Sequence, residues 1–283
     1  MSRAPIEAAP PIRAEAIVTA REERGGPNRW LECSVPGWPT SAPGQFLMIS
    51  PGPLGGAART DPLLPRPMAV FRQRPDPETD GSALVEILYK TEGRGTRLLA
   101  DAEVGDRLAV VGPLGRPFPA IEAGATAVLV GGGTGVASLF ELAESADAGA
   151  GVHVLLGARS EGDLMGHAAY AALGGVEVEV ATEDGSLGTR GLVTTLLEPK
   201  LEAGGNVVVY ACGPTPMMAA CARLCAEAGV VCWVSLENNM ACGYGVCLGC
   251  AAPKSQAAGE GYALVCRAGP VFDARDVGWE AMP

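Results

Sequence analysis

Apolar residues between positions 13 and 119 occur in short runs that glycines and prolines separate. Short strand-like runs at regular spacing, bounded by turn residues, are typical of an antiparallel sandwich or small barrel. The runs are AEAIVTA, RWLECSV, QFLMIS, MAVFRQ, ALVEILYK and DRLAVVG. The stretch 72–82 (RQRPDPETDGS) is polar and proline-rich. We predict that it forms an exposed hairpin loop.

The pattern changes between positions 125 and 235, where apolar strand-like runs alternate with helix-like segments. The strand-like runs are TAVLVG, VHVLLGA, VEVEVAT, NVVVYACG and VVCWVSL. The helix-like segments are SLFELAESA, LMGHAAYAAL, LVTTLLEPKL and PMMAACARLCAEA. Nearly continuous apolar strands separated by helices predict a parallel α/β sheet that is covered on both faces.

The tail from residue 237 to 283 follows neither pattern and holds four of the nine cysteines. A segment this irregular needs something besides an apolar core to order it, and a metal centre does so because ligand binding contributes to folding. The chain is therefore predicted to be an α+β multidomain protein. Its expected units are an antiparallel β-barrel (1–120), a parallel-sheet α/β domain (121–236) and a C-terminal metal-binding lobe (237–283).

The formal net charge of −11 disfavours nucleic acid as a partner, because an acidic chain repels a phosphate backbone. The longest uncharged stretch, 124–140, is interrupted by Gly131, Gly132, Gly133 and Gly135 and does not resemble a membrane span. The N-terminal residues lack the apolar segment of a signal peptide. Nine cysteines without an export signal argue against a disulfide framework, so a cytoplasmic location is expected.

The cysteines of the tail carry the most specific motif in the chain. Cys242, Cys247 and Cys250 follow a C-x4-C-x2-C pattern, and fifteen residues separate Cys250 from Cys266. This spacing is typical of plant-type [2Fe–2S] ligation. Three glycines in the first loop allow its backbone to fold around a compact cluster. The alternative is a structural zinc site, which four cysteines can also form.

Two glycine-containing loops of the central region are candidates for binding a nucleotide. The first lies between a buried strand and a helix and comprises Gly131, Gly132, Gly133, Thr134 and Gly135. The second comprises Cys212, Gly213 and Pro214 and follows a later strand. Ligands of parallel sheets bind at the carboxyl ends of the strands, where both loops are expected. The alternatives are a tight turn without a ligand and, for Cys212, a small buried residue.

Two segments of the first region carry groups suited to a phosphate. Arg66 precedes a proline and places a cation on an extended segment, while Gly95 and Thr96 open a helix-like segment. Taken alone, Arg66 is more consistent with a solvated surface charge than with a ligand-binding residue. Together with the loops of the central region, these segments describe a flavin site across the domain junction.

The order of motifs resembles that of one known family. The motifs are LPRPMAV, LYKTEGRGT, GPLGRPF, VGGGTGVASL, TEDGSLGTRGLVT, YACGPTPMM, SLENNMACGYGVCLGC and VCRAGPVFDA. They resemble the electron-transfer subunits of class B dihydroorotate dehydrogenases, in the ferredoxin–NADP reductase superfamily. The resemblance covers nearly the whole chain, and its last two motifs are the most specific.

The resemblance implies a six-stranded FAD-binding barrel, an NAD-binding α/β domain and a [2Fe–2S] lobe. The implied FAD contacts are Arg66, Pro67, Met68, Ala69, Leu88, Tyr89, Lys90, Gly95 and Thr96. The implied nicotinamide-nucleotide contacts are Gly131 to Gly135 and Cys212 to Pro214, and the implied cluster ligands are Cys242, Cys247, Cys250 and Cys266. Family members normally carry Ser or Thr at the position of Ala69. Because Ala69 lacks that hydroxyl, one hydrogen bond to the flavin is lost, which weakens the free energy of FAD binding by roughly 0.5–1.5 kcal/mol net.

The implied function is electron transfer from an FMN-containing catalytic subunit that oxidises dihydroorotate, through the [2Fe–2S] cluster and FAD to NAD+. The implied pathway is UMP biosynthesis, and the implied assembly is a heterotetramer of two plus two chains. No catalytic side chain is required, so His153 and His167 are expected to be structural or surface residues. One alternative is a reductase component that serves an oxygenase, a hydrogenase or a ferredoxin. A more distant alternative is a zinc-stabilised nucleotide sensor without enzymatic activity.

Three further expectations concern the rims of these sites. Glu237 and Asn238 either border the flavin or only form hydrogen bonds at the end of a loop. Apolar residues of the cluster loop, Met240, Tyr244 and Leu248, are expected to contact the partner subunit. After the second parallel strand, Arg159 and Ser160 could meet the 2′-phosphate of NADP and Glu161 would repel it, while the resemblance favours NAD.

Overall fold

A computed structural model describes residues 9–54, 64–146 and 149–282, and its N-terminal half is a curled antiparallel sheet. The strand order is β4-β3-β7-β1-β2-β6-β5. Strands β4 and β5 are consecutive in the chain but lie at opposite edges. The strands and the helix of this unit are β1 (Ile12–Glu23), β2 (Asn28–Pro36), β3 (Phe46–Pro51), β4 (Arg66–Ala69), β5 (Arg72–Pro75), β6 (Ser82–Lys90), α1 (Arg94–Ala100) and β7 (Arg107–Leu114).

The connection between β4 and β5 closes this sheet into a barrel. The Val70 amide donates to the Gln45 carbonyl beside β3, and the next amide, of Phe71, donates to the Glu86 carbonyl of β6. One extended segment therefore contacts both edges of the sheet. If β4 and β5 are taken as one interrupted strand, the barrel has the six strands that the family resemblance implies.

The prediction of an exposed loop over residues 72–82 is wrong for its first third. Arg72–Pro75 forms β5, which pairs with β6, and only residues 76–81 form the turn. Arg74 ion-pairs with both Glu32 and Glu86, two nearly buried carboxylates on neighbouring strands. The sequence concealed this strand because polar partners, rather than apolar residues, hold it against the barrel.

The second sheet is parallel, as predicted, and helices cover both of its faces. The strand order is β11-β10-β9-β8-β12-β13, followed by one antiparallel strand from the tail. Its elements are β8 (Thr126–Gly132), α2 (Val136–Glu144), β9 (Gly151–Ala158), α3 (His167–Ala171), β10 (Val176–Thr182), β11 (Thr189–Arg190), α4 (Thr194–Glu202), β12 (Val207–Cys212), α5 (Thr215–Glu227) and β13 (Val231–Ser235). In the described part of the chain, every helix is too short or too polar to cross a membrane.

The tail has more regular structure than its sequence pattern indicates. It forms β14 (Ala251–Pro253), β15 (Tyr262–Leu264), α6 (Val265–Ala268) and β16 (Val271–Asp273). Strands β14 and β15 make a small hairpin, and β16 pairs with β13 at the edge of the second sheet. The cysteine-containing lobe is thus joined to the nucleotide-binding unit by backbone hydrogen bonds.

The barrel and the second sheet pack directly on one another through α2. The rings of Phe71 and Phe140 lie 4.4 Å apart, centre to centre, and the Arg72 guanidinium pairs with Glu144 at 2.6 Å. Glu141 is buried in the same interface. This contact fixes the cleft between the two units, where the candidate site lies.

Candidate functional site

A cavity of about 490 Å³ lies between the barrel, the second sheet and the start of the tail. The barrel contributes predicted FAD contacts from β4, β6 and α1, and the tail contributes the segment that leads to the cysteine loop. The lining residues are Gly44, Phe46, Pro67, Met68, Ala69, Leu88, Tyr89, Lys90, Glu92, Thr96, Thr134, Ser138, Ser235, Leu236, Glu237, Asn238, Asn239, Met240 and Pro270. Seven of the nine residues predicted to bind FAD therefore lie along one cavity, and the other two, Arg66 and Gly95, contact each other beside it.

The backbone of α1 makes room for the Arg66 side chain. A Cβ at Gly95 would lie 2.7 Å from Nε of Arg66 and 2.8 Å from its Cζ, so only glycine allows this approach. Thr96 fixes the same turn, because its Oγ1 accepts hydrogen bonds from the amides of Glu92 and Gly93. Arg66 also donates to the Leu64 carbonyl at 2.8 Å. A cation held in a glycine cradle next to the cavity suits the pyrophosphate of a dinucleotide such as FAD.

Gly95→Ala is expected to weaken FAD binding by displacing the Arg66 guanidinium. We expect about a tenfold higher dissociation constant, the equivalent of one charge-assisted hydrogen bond of roughly 1.4 kcal/mol. Flavin fluorescence during titration of the flavin-free protein measures this constant. Arg97→Ala, which removes an exposed cation from the same helix, is the control and should bind FAD normally. Equal affinity of the Gly95→Ala protein and the unchanged protein would contradict the assignment.

The wall of the cavity around Ala69 is partly apolar. Phe46, Leu88 and Met240 line it, and the methyl group of Ala69 stands where the family's hydroxyl is expected. The second unit contributes three hydroxyl-bearing residues to the lining instead, namely Thr134, Ser138 and Ser235. Together, these residues provide apolar surface for a ring system and donors at its edge, which fits a flavin.

Glu237 belongs to the cavity, although the sequence left its role open. Glu237 lines the cavity and is exposed to it. Desolvation by the protein around the cavity raises the pKa of its carboxyl group. A hydrogen bond from the Thr134 hydroxyl at 3.4 Å opposes the shift, whereas the Glu92 carboxylate adds to it. Glu237, which lies between the barrel and the second sheet, therefore holds a proton more readily than a glutamate in water does.

A second cavity of about 380 Å³ lies at the carboxyl ends of β8, β9 and β10. Lys90 lines both cavities. Of the predicted nucleotide contacts, Gly132, Gly133 and Pro214 line the second cavity, and Thr134 lines the first. The lining residues are Lys90, Gly132, Gly133, Gly157, Ala158, Arg159, Asp163, Glu183, Gly191, Leu192, Val193, Thr194, Pro214, Pro216, Met217 and Ala220.

The other predicted nucleotide contacts pack the two loops together. A Cβ at Gly135 would lie 2.4 Å from the carbonyl carbon and oxygen of Cys212, and a Cβ at Gly213 would lie 2.9 Å from the carbonyl oxygen of Gly132. Gly131 lies within β8 and pairs with Cys212 of β12. The Cys212 thiol is fully buried and donates to the Ser235 carbonyl at 3.3 Å, and burial raises its pKa to about 12. The Cys212 thiol therefore packs inside the protein, and a contact of Cys212 with the nucleotide stays a prediction.

Gly135→Ala is expected to separate the two nucleotide loops and weaken NAD binding. The added methyl group would meet backbone atoms, which cannot rotate away, and overpacking of this kind costs about 1–3 kcal/mol. We expect about a tenfold increase in the KM for NADH in an assay with an artificial electron acceptor, with the FAD content unchanged. Gly174→Ala is the control, because a Cβ there would meet no atom within 4 Å. An unchanged KM would contradict this role of Gly135.

Sequence reasoning missed several residues of both cavities. Phe46 and Ser138 line the first cavity from a strand and a helix of ordinary amphipathic pattern. Asp163 and Glu183 line the second cavity. The sequence could have indicated these two acidic residues, because each follows a predicted parallel strand, and ligands bind at that edge of a parallel sheet.

The four cysteines of the tail come together as two pairs. The Cys247 amide donates to the Cys242 sulfur, and the Cys266 amide donates to the Cys250 sulfur. The Cys250 and Cys242 thiols both contribute to the raised pKa of Cys266, as expected if the two pairs lie close together. Within the described residues, no three His, Cys, Asp or Glu side chains are arranged around a single metal-ion position. Two adjacent pairs of thiols fit a [2Fe–2S] cluster, in which each iron takes two thiolates.

The cluster loop stabilises thiolates through its backbone. Burial opposes ionisation of Cys242, but amide groups of Cys247, Tyr244 and Val246 lower the pKa of its thiol to about 6. The amides of Val246 and Cys247 lie 3.4 Å from its sulfur. In the second pair, the Cys266 amide donates to the Cys250 sulfur at the same distance. These donors suit sulfur atoms that carry negative charge when they bind iron.

The cluster loop also packs against the wall of the first cavity. A Cβ at Gly243 would lie 2.4 Å from Cγ of Met48 and 3.3 Å from Leu114, so the loop backbone touches the barrel. Met240, two residues before Cys242, lines the cavity itself. The opposite side of the loop is apolar and exposed, with Val246 73% and Leu248 64% accessible.

Comparison with known proteins agrees with this arrangement. The family model of the iron–sulfur cluster binding domain of dihydroorotate dehydrogenase B matches residues 237–278, and that of the oxidoreductase NAD-binding domain matches residues 129–223. A solved NADH-dependent reduced ferredoxin–NADP oxidoreductase covers 94% of this chain and 91% of its own, with a TM-score of 0.78 and 27% identity. A ferredoxin reductase of carbazole 1,9a-dioxygenase covers 80% of this chain and 68% of its own, with a TM-score of 0.65 and 24% identity, and shares the fold.

Two relatives are similar over most of their length. Each is a dihydroorotate dehydrogenase B (NAD(+)) electron transfer subunit. That of Caldanaerobacter subterraneus subsp. tengcongensis is 40% identical over 235 residues, which are 83% of this chain and 86% of the relative. That of Bacillus caldolyticus is 42% identical over 241 residues, with the same shares. With the paired cysteines and the two adjoining cavities, this similarity shows that the chain belongs to the family of dihydroorotate dehydrogenase B electron transfer subunits.

Proposed function

We propose that this chain carries electrons from a dihydroorotate-oxidising catalytic subunit to NAD+, as part of UMP biosynthesis. The observation that supports this most directly is the short path between the two candidate cofactor sites. Met240 lines the first cavity, and Cys242 lies two residues further along the chain. An electron carrier needs its cofactors close together, and the short separation between these two sites supports the proposal for that reason.

The residues of the first cavity would hold FAD. Arg66 would neutralise the pyrophosphate from the glycine cradle of α1, while Tyr89, Lys90 and the apolar wall around Leu88 would orient the ring. Bound FAD supplies the conversion between single-electron and two-electron transfer that links an iron–sulfur cluster to a nicotinamide. Thr134 and Glu237 would keep a proton at the edge of this site.

The residues of the second cavity would hold NAD, and those of the tail would hold the cluster. Gly132, Gly133 and Pro214 allow a nucleotide to approach the backbone at the ends of β8 and β12. The four cysteines would bind [2Fe–2S] as two pairs. We propose 1–120, 121–236 and 237–283 as the corresponding units, with β16 of the last unit completing the sheet of the second.

The curated relatives are electron transfer subunits, which implies a catalytic partner. We propose that the partner carries FMN, that two of each chain form a heterotetramer, and that the partner docks on the cluster loop. Tyr244, Val246 and Leu248 are exposed there, next to the predicted ligands. Exposed apolar groups of this kind often mark interfaces. The nine free cysteines favour a cytoplasmic location.

Co-expression with the cognate FMN subunit tests this function. The purified complex should reduce NAD+ when dihydroorotate is added, and the FMN subunit alone should not. If the complex fails to couple dihydroorotate to NAD+ but reduces a ferredoxin or an oxygenase rapidly with NADH, the chain is a reductase component instead. In that case the proposal is wrong, although the cofactors are the same.

A further inference from the structure

One end of the second cavity contains a closed group of three polar side chains. Arg159 and Ser160 follow β9, and both are bound to Asp163. Nη2 of Arg159 lies 3.3 Å from one Asp163 oxygen, and the Ser160 hydroxyl donates to the other oxygen at 3.1 Å. Arg159 and Asp163 line the cavity, together with Glu183 at the end of β10.

These contacts change the interpretation of Arg159 and Ser160. A guanidinium and a hydroxyl at the end of the second parallel strand are the groups that would bind the 2′-phosphate of NADP. Here both groups are already bound by one carboxylate. The Arg159 side chain is 75% exposed and that of Asp163 is 21% exposed, so the carboxylate is the more firmly placed of the two.

The balance of charge at this end of the cavity also disfavours an added phosphate. The carboxylates of Asp163 and Glu183 face the cavity with Arg159, and the remaining cation of the lining, Lys90, also lines the first cavity. A carboxylate accepts a hydrogen bond from a ribose 2′-hydroxyl but repels a 2′-phosphate. Glu161, which the sequence suggested as the repelling group, is exposed and does not line the cavity.

We propose that Asp163 determines the preference of this chain for NAD over NADP by holding Arg159 and Ser160 and by presenting a negative charge at the 2′ position of the ribose. The proposal rests on the proposed function, because it assigns the adenosine end of the same nucleotide to this cavity. It makes Asp163 a specificity-determining residue and leaves the electron-transfer path unchanged.

Asp163→Asn should free Arg159 by removing the negative charge without changing the size of the side chain, although the remaining amide oxygen can still accept from Ser160. The measured quantity is the ratio of kcat/KM for NADPH to kcat/KM for NADH, with an artificial electron acceptor and the FAD-loaded complex. We expect this ratio to rise by about tenfold or more, which corresponds to one charge interaction of roughly 1.4 kcal/mol. Glu161→Gln removes the same charge two residues away and should leave the ratio within about twofold of its original value. An equally small change for Asp163→Asn would overturn the proposal.

Binding of nucleotide fragments provides a second test that does not depend on turnover. Calorimetry would compare 2′,5′-ADP with 5′-AMP, which differ only in the 2′-phosphate. Asp163→Asn should strengthen the binding of 2′,5′-ADP alone, and adding Arg159→Ala should reduce that gain to the part that removal of the carboxylate charge provides by itself. If the whole gain persists without Arg159, Asp163 does not act by holding Arg159 and the proposal is overturned. If the unchanged complex oxidises no NADH at all, the proposed function fails, whereas normal NADH oxidation with an unaltered ratio rejects only the role of Asp163.

Discussion

Cys250→Ser is expected to abolish electron transfer between the catalytic partner and NAD+ while leaving the FAD and NAD sites intact. Cys250 is buried and hydrogen-bonded to Cys266, so its replacement removes one of the two thiol pairs. Changes to groups that merely support metal ligands cost about 10–100-fold in affinity or activity. The loss of a ligand should therefore lower dihydroorotate-dependent NAD+ reduction by at least about a hundredfold. The iron content should fall in parallel, as measured by metal analysis of anaerobically purified protein.

Cys221→Ala is the matched control for this variant. Cys221 is a buried cysteine of α5 in the second unit, outside the four-cysteine motif. Its replacement should leave iron content and coupled activity nearly unchanged. NADH oxidation with a two-electron acceptor should persist in both variants, because it requires only the flavin and nicotinamide sites. Full iron content in the Cys250→Ser protein would contradict the assigned ligand set.

Glu141→Gln is expected to make the stability of the protein less dependent on pH. Glu141 is 8% exposed at the interface of α2 with the barrel, and its Oε2 has no hydrogen-bond partner in the described part of the chain. Burial, aided by the neighbouring Glu144 carboxylate, raises its pKa from 4.5 to about 8, while hydrogen bonds from Gln73 act in the opposite direction. The folded protein therefore favours the protonated, uncharged form of this side chain.

The sign of the effect follows from this raised pKa. Stability from the protonated carboxyl is fully present below pH 4.5 and is lost as the pH rises towards about 8. Over this range each pH unit costs up to about 1.4 kcal/mol, because the unfolded chain has already released the proton. Glutamine has no proton to lose, so the free energy of unfolding of the variant should exceed that of the unchanged protein increasingly from pH 5 to pH 8.

Urea unfolding at several pH values measures this difference. Glu144→Gln is the control, since Glu144 lies one turn further along α2 but is more exposed and paired with Arg72. The free energy of unfolding of the Glu144→Gln protein should retain more of its dependence on pH than that of the Glu141→Gln protein. Parallel stability curves for Glu141→Gln and the unchanged protein would show that Glu141 is already ionised in the folded state.

The order of the elements and the cysteine motif could be predicted from the sequence because each leaves a local pattern. Alternating short apolar runs predicted the barrel, and apolar strands between helices predicted the parallel sheet. The C-x4-C-x2-C spacing is similarly local, and the structure brings its three cysteines and Cys266 together. In each case, neighbours in the chain already specify the feature.

Other features depend on contacts between residues that are far apart in the chain. Strand β5 was concealed because Arg74 is held by carboxylates from two other strands. The role of Asp163 depends on its contacts with Arg159 and Ser160, which follow from the fold. The raised pKa of Glu141 depends on burial of α2 against the barrel. Glu237 likewise lines a cavity that the barrel, the second unit and the start of the tail form together. Composition and spacing do not encode such pairings.

The most direct test of the whole account is anaerobic addition of NADH to the purified chain, followed by electron paramagnetic resonance and absorption spectroscopy. The account predicts that flavin absorption bleaches and that the signal of a reduced [2Fe–2S] cluster develops, with about two irons per chain. Colourless protein that contains zinc instead of iron, and gives no signal with NADH, would contradict it.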